Sequence, residues 1–220
     1  MATNETYEKI LDVAERLFVE RGYEGTSTRT VISEAGVNLG AVNYHFGSKE
    51  ALMQAVLRRR LAKINRERLR VLDEAEAKAG GKPLKPSQIL DGFFGTLLRI
   101  AEAEGPGGLT FLRLIGRTLT EPAEFIRTFL ATENADVLER YKAALFKSLP
   151  DVPKAEIIWR FHFMLGATSY AIAGTDALQL VTDWQVSEDE NNQSRHLLPR
   201  LMSFLLGGLR APLPQLEESP

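Results

Sequence analysis

The sequence predicts an all-α fold, and three observations predict it. Apolar residues recur at i, i+3, i+4 and i+7 through most of the chain, the spacing of one helical face. Glycine, proline and hydroxyl-bearing residues fall between these stretches, where they stop one helix or cap the next. No stretch carries a convincing strand pattern. The expected architecture is a three-helix N-terminal helix-turn-helix domain followed by a larger helical C-terminal domain, about nine helices in all.

The stretch from Thr26 to Lys49, TSTRTVISEAGVNLGAVNYHFGSK, organises the chain. Thr26 or Ser27 is a good N-cap for a helix over 28–35, because a hydroxyl takes up an orphan N–H. Val31, Ile32 and Ala35 then share one face, and Gly36 is suited to the left-handed turn that ends a helix. Asn38 can cap a second short helix over 39–46. Helix, glycine turn, short helix is the layout whose second helix lies in the DNA major groove. Two such helices cannot bury a core alone. Their supports are an amphipathic helix over 5–21, with Ile10, Leu11, Val13, Ala14, Leu17 and Phe18 on one face, and a long helix from Lys49 to 78 capped by Ser48. At about 1.5 Å per residue that helix is ~45 Å long, enough to join the first unit to a second domain.

Beyond a Gly-Gly-Lys-Pro loop, Ser87 is expected to cap a helix over 88–102, and Gly105-Pro-Gly-Gly to break before one over 109–120. A helix over 122–149 starts on a first-turn proline, Pro122. The helix over 153–182 is apolar nearly all round, which implies burial on several sides. A last helix over 194–209 contains Pro199, which predicts a kink or a start near Leu198. The expected division is 4–64 for the first domain, with its motif at 27–46, then 65–210, then a loose tail over 211–220.

The composition is that of an ordinary globular chain: 220 residues, 44% hydrophobic, 25% charged, net charge −2. The absence of cysteine excludes disulfides and Cys-based zinc sites. No export signal or membrane span is indicated, so a cytoplasmic location is expected, nucleoid-associated when DNA-bound. The three histidines, His45, His162 and His196, have no metal-binding spacing, and there is no phosphate-binding glycine loop or Gly-x-Ser-x-Gly. No catalytic residue, metal or cofactor is expected, and an enzyme is the rival class that the sequence disfavours. Residues 51–70 hold seven Lys and Arg against one acid, Glu67. Such a run reads first as a solvated helix face and second as a surface for the DNA backbone.

The segments ILDVAERLFVERGYEGTS, AGVNLGAVNYHF and GSKEALM resemble the DNA-binding domain of the TetR family of bacterial transcriptional regulators over about the first 60 residues. Val42-Asn43-Tyr44-His45-Phe46-Gly47-Ser48-Lys49-Glu50 is the most specific part of the likeness. From the residues themselves, Asn38, Leu39, Gly40, Asn43 and Tyr44 face outward from Val42 and Phe46. Asparagine can pair with adenine, leucine can touch a thymine methyl, and glycine allows close approach. Arg29 is placed to reach a guanine or a phosphate. The resemblance implies that Tyr44, His45 and Lys49 hold phosphates, with Ser27 or Thr28 doing so from the other side.

A single head of this size implies a two-fold dimer reading two half-sites about 34–36 Å apart. The helices over 153–182 and 194–209 are the candidate interface, with Gly166, Gly174, Gly207 and Gly208 for close approach. The resemblance pairs these helices with their symmetry mates and implies a small-molecule site in the second domain. Candidate ligand-binding residues there are Phe94, Leu97, Phe111, Leu114, Phe129, Phe161, His162 and Met164, although aromatic stripes at helical spacing are more often core. Arg99, Arg113, Arg117, Arg160 and Tyr170 also sit among apolar neighbours, where an arginine can hold a carboxylate or pair with an acid. Trp159-Arg-Phe-His-Phe-Met-Leu-Gly, with VNLGAVNYHFGSK upstream, is similar to fatty-acid-responsive TetR-type repressors, implying a long-chain fatty acid or acyl-CoA. The expected partners are therefore an operator in double-stranded DNA, a small hydrophobic effector and a second copy of the chain. The expected function is a repressor released from a palindromic operator by that effector. The alternatives are a DNA-binding activator and a helical ligand-binding dimer without DNA binding.

Overall fold

A computed structural model describes residues 2–120, 123–173 and 190–215, with side chains described for all of these except 2–4, 39, 41, 43, 120 and 190–196. Every regular element among them is helical. The N-terminal unit is built on α1 (Ala2–Arg21), α2 (Thr28–Ala35) and α3 (Leu39–His45). Ile10, Leu11, Ala14, Leu17 and Phe18 of α1 are buried, as their spacing predicts. Between the two candidate caps the structure selects Ser27, whose Oγ accepts from Thr30 N at 3.1 Å. Thr26 is buried instead and donates to the carbonyls of Leu17 and Gly22, fastening the turn to α1. Gly36 ends α2 at φ +61°, where a β-carbon is strained, and its backbone N–H closes onto Ser33 O. Val42 and Phe46 pin α3 to the core, and Phe46 stacks on Tyr7 at 5.0 Å between ring centroids.

α4 (Lys49–Ala79) is a single rod, capped by Ser48 Oγ accepting from Ala51 N at 3.0 Å and closed by Gly80. Its N-terminal half packs on α1 through charge. Arg59 and Arg60 both reach the buried Glu15, Arg59 also reaches Glu8 and Asp12, and Arg60 and Lys63 reach Glu104. Arg58 pairs with Glu133. Five cations of the basic run, these four and Arg70, which pairs with Glu67 and Glu74, are thus committed to carboxylates, which disfavours the second reading of that run as a surface for the DNA backbone.

The body follows as α5 (Pro86–Leu90), a π-helical stretch (Asp91–Gly95), α6 (Thr96–Ala103), α7 (Pro106–Thr120), α8 (Glu124–Glu133), α9 (Ala135–Ser148), α10 (Lys154–Ile172) and α11 (Glu190–Leu209). Several boundaries differ from the sequence expectation. Lys85, not Ser87, is the residue before α5, because Pro86 fits the first turn and Gln88 Oε1 accepts from the Lys85 N–H at 3.0 Å. The π-helical stretch has no counterpart in the pattern of apolar residues. Its Gly92 lies under Tyr141, where a β-carbon would stand 2.9 Å from the hydroxyl. Pro106 opens α7 rather than breaking before it, after Gly105 makes the turn at φ +62°. The expected helix over 122–149 is two helices that part at Asn134, whose side chain bonds back to Leu130 O at 2.7 Å and so competes with the helical ladder. Pro199 lies inside α11 rather than at its start, and the buried Leu201, Leu205 and Leu209 hold the helix beyond it. The last helix begins at Glu190, four residues before the expected start at 194, while Pro122, Gly174, the expected extension of α10 to 182 and the end of the tail lie outside the described residues.

Candidate nucleic-acid interface and ligand cavity

The helix-turn-helix presents a polar face. Ser27, Arg29, Asn38, Gly40 and Tyr44 are exposed, while Thr28, His45 and Lys49 are half-buried. Tyr44 is 81% exposed, an unusual state for a large aromatic ring. His45 lies edge-on between Tyr44, at 5.2 Å, and Tyr7, at 5.6 Å, so its ring is oriented from both sides. Lys49 stands over the Tyr23 ring at 4.1 Å, 4.0 Å from Glu24, at the first turn of α4. The side chains of Leu39 and Asn43 lie outside the described residues, and their backbone belongs to α3.

Behind this head lies the body. Its cavity of about 230 Å3 is lined by α4, the π-helical stretch, α6, α7, α8, α9 and α10. Phe94 and Leu97 of the expected ligand residues line it. Phe161 packs edge-on against Phe93 at 5.1 Å and tilts over Phe94, behind the wall. Leu114 and Met164 are buried in the core, and Phe111 lies under Arg60 at 6.0 Å. Phe129 faces a separate open cleft beside Arg58 and Tyr23. His162 is exposed on the outer side of α10, with Trp159 and Phe163.

Of the four arginines weighed as ligand anchors, Arg113 is exposed and the other three have protein partners. Arg99 pairs with Asp91, Arg117 donates to Val19 O in α1, and Arg160 binds Glu156 and the Leu209 carbonyl that ends α11. The residue that sequence reasoning passed over is Arg68. It is buried, lines the cavity, donates to Phe93 O at 2.9 Å and Asn65 Oδ1 at 3.2 Å, and stands 3.9 Å over the Phe93 ring. Burial brings its guanidinium down to about 10. The signal was present: Arg68 falls four residues after Ile64 and four before Leu72, on the apolar stripe of α4.

α10 and α11 carry the exposed apolar surface. Ile158, Trp159, Phe163 and Tyr170 of α10 and Phe204 of α11 are each more than half exposed, Phe204 at 68%. Gly166, Gly207 and Gly208 on these helices face open space. Arg160 ties the two helices together from the buried side.

Residues 10–56 match the family of bacterial regulatory proteins called tetR, and residues 91–208 match the tetracyclin repressor-like C-terminal domain. Among curated relatives, the transcriptional repressor KstR2 of Rhodococcus jostii is 40% identical over 50 residues, 23% of this chain and 24% of that protein. The repressor AcnR of Corynebacterium efficiens is 40% identical over 57 residues, 26% of this chain and 30% of that one. The likeness therefore spans less than a third of these relatives' length. Among solved structures, a TetR-family regulator from Syntrophomonas wolfei matches with a TM-score of 0.61 at 18% identity, over 97% of this chain and 99% of that one. The fatty acid degradation regulator FadR of Bacillus halodurans matches at 0.60 and 14% identity, over 94% and 97%. Likenesses at such identity carry the fold alone. The family match over the body covers more than half of the sequence and the second covers the helix-turn-helix, so this chain belongs to the TetR family of transcriptional regulators.

Proposed function

We propose that the protein is a homodimeric, ligand-controlled transcriptional regulator, a repressor that a small hydrophobic effector releases from a palindromic operator. The observation that carries this reading is the two-turn α3, anchored by Val42 and Phe46 on one side and presenting the exposed Tyr44 on the other. Asn38, Leu39, Gly40 and Asn43 are assigned to base edges, and Arg29 to a guanine or a phosphate. Tyr44, His45 and Lys49 are assigned to phosphates on one side of the groove, with Ser27 and Thr28 on the other. The head is assigned to residues 4–64 and the effector-binding and dimerising body to 65–210. The family consists of non-enzymatic transcription factors, which supports this class over catalysis.

The exposed apolar faces of α10 and α11 support dimerisation through those two helices. Apolar surface of this kind on a folded body is stable in water when a partner covers it. Control follows from how the cavity is framed. Its walls include Leu61 and Arg68 of α4, whose N-terminal half is pinned to α1 by Glu15. They also include Ile115 and Leu119 of α7, whose Arg117 bonds α1 at Val19 O. A ligand that spreads these walls moves two struts attached to the reading head. Lowering DNA affinity 100-fold takes about 2.7 kcal/mol of differential binding, within reach of one buried apolar group.

The narrower reading, a long-chain fatty acid or acyl-CoA, rests on the apolar lining and on the Trp159–Gly166 segment. Among the described residues no helix is long and apolar enough to cross a membrane. Access to chromosomal DNA places the regulator in the cytoplasm. Native mass spectrometry of protein taken from cells tests the assembly: twice the 24.5 kDa chain mass, with or without a retained small molecule, supports it, and a single chain at micromolar concentration overturns it.

A further inference from the structure

The cavity joins an apolar lining to one buried cation. Arg68 is the single charged residue among the fourteen described residues around it, and Phe93, Phe94, Leu97, Ile115 and Leu165 supply most of the rest. A guanidinium carries five N–H donors. Two of those on Arg68 are spent, on Phe93 O and Asn65 Oδ1, and no carboxylate among the described residues lies within ion-pair distance of it. A buried cation without an anion is costly, and a protein that keeps one in a cavity wall normally has an anion to put there.

A second polar group lining the same cavity is independent of the first. Thr168 of α10 is 3% exposed and its hydroxyl has no hydrogen-bond partner. A helical threonine ordinarily satisfies its hydroxyl on the carbonyl one turn back, as Thr118 does here on Leu114 O at 2.6 Å. Thr168 leaves that bond unmade and faces the cavity.

We propose that the cavity binds an amphipathic monoanion, an apolar body ending in a carboxylate, with Arg68 gripping the carboxylate and Thr168 donating to it. This rests on the reading of the cavity as the effector site and names its ligand class. A guanidinium fork matches the two oxygens of a carboxylate. A phosphate dianion would need more than the one charge the lining supplies. Size narrows the class further. An engineered cavity of about 150 Å3 takes benzene, so about 230 Å3 takes roughly nine or ten heavy atoms. The body is therefore a medium-length chain or a single ring system. A long acyl chain would have to run out past the exposed edge at Leu119 and Ala131. The grip also places the ligand's charge on α4 itself, the rod that carries the reading head.

The test uses the full chain and two probes of one length, octanoate and octan-1-ol, titrated calorimetrically. The parent protein is expected to bind octanoate about 10- to 100-fold more tightly than the alcohol, the worth of a charge-assisted pair in a buried site. Arg68→Met should remove that preference while leaving octan-1-ol affinity within about threefold, since the apolar lining is kept. Arg68→Met is expected to fold, because exchanging a desolvated charge for a shorter, flexible apolar thioether relieves a burial cost. Thr168→Val, which keeps the shape and deletes the hydroxyl, should cost octanoate several-fold and the alcohol nothing. If the parent protein does not prefer octanoate, or binds neither probe, or if both variants keep the preference, the proposal is overturned. Adding octanoate to a DNA complex separates the two readings. Arg68-dependent binding that leaves the complex intact sustains the ligand class and removes the cavity's role as the effector site.

Discussion

Replacing Glu15 with glutamine tests whether the reading head is held to the rod by a buried charge cluster. Glu15 Oε2 accepts from Arg59 Nη2 at 2.6 Å and Arg60 Nε at 3.2 Å, and Oε1 from Arg60 Nη2 at 3.0 Å. The Glu15 side chain is 4% exposed, against 21% and 24% for the two arginines. Breaking a fully buried pair costs about 3–5 kcal/mol because one charge is stranded. Here the arginines are not stranded: Arg59 keeps Glu8 and Asp12, and Arg60 keeps Glu104. Glutamine also retains one oxygen as an acceptor. Together these bring the expected loss to about 2 kcal/mol, which for a chain of this length lowers Tm by about 4–8 °C. The assay is a circular-dichroism melt at fixed protein concentration in about 0.1 M and about 1 M salt, between which the screening length falls from about 10 Å to about 3 Å. A buried cluster keeps its loss in both salts. A Tm within about 1 °C of the parent, or a loss that vanishes in high salt, would show that these contacts are surface ion pairs of little worth and that the head is not anchored this way.

The other expectations concern reading, assembly and packing. Tyr44→Ala and Asn43→Ala should each weaken operator binding by about 1–3 kcal/mol per half-site and leave melting unchanged, as read by gel retardation and calorimetry. Lys49→Met should flatten the dependence of log affinity on log salt by about 0.9 per half-site if Lys49 meets a phosphate; an unchanged slope would confine it to its place over Tyr23. Phe163→Glu and Phe204→Glu place charge on the exposed apolar faces of α10 and α11, and should give a folded single chain in sedimentation velocity. Gly116→Ala puts a β-carbon 2.7 Å from the backbone of Ala173 and from Ser169 O, where α7 crosses α10, and should cost about 1–3 kcal/mol despite the gain in helix propensity.

Much of this was legible before any coordinates. The head was, because its signals are local: Ser27 and Ser48 cap, Gly36 turns, and Val42 and Phe46 alternate with polar neighbours. The all-α class and the single long rod followed from spacing alone. What the sequence hid depends on contacts distant in the chain. The basic run around Arg59 resembles a DNA-facing surface until Glu8, Asp12, Glu15 and Glu104 are seen beside it. The π-helical stretch and the break at Asn134 come from Gly92 under Tyr141 and from a side chain bonding its own helix, neither of which alters apolar periodicity. The aromatic stripe marked the body but could not separate Phe94, in the cavity wall, from Phe111, in the core, or from Phe163, on the surface. Arg68 is hidden for the opposite reason: its neighbours in sequence are charged, while its register on α4 places it with the leucines.

The central claim is that two α3 heads, held in duplicate by α10 and α11, read one two-fold DNA site. Selection of bound duplexes from a random-sequence pool tests it without knowledge of the operator. The account predicts enrichment of an inverted repeat whose half-site centres lie about one helical turn or a multiple apart, lost together with the dimer in Phe163→Glu. Recovery of a single non-repeated motif, or of no motif at all with binding erased by moderate salt, would contradict it.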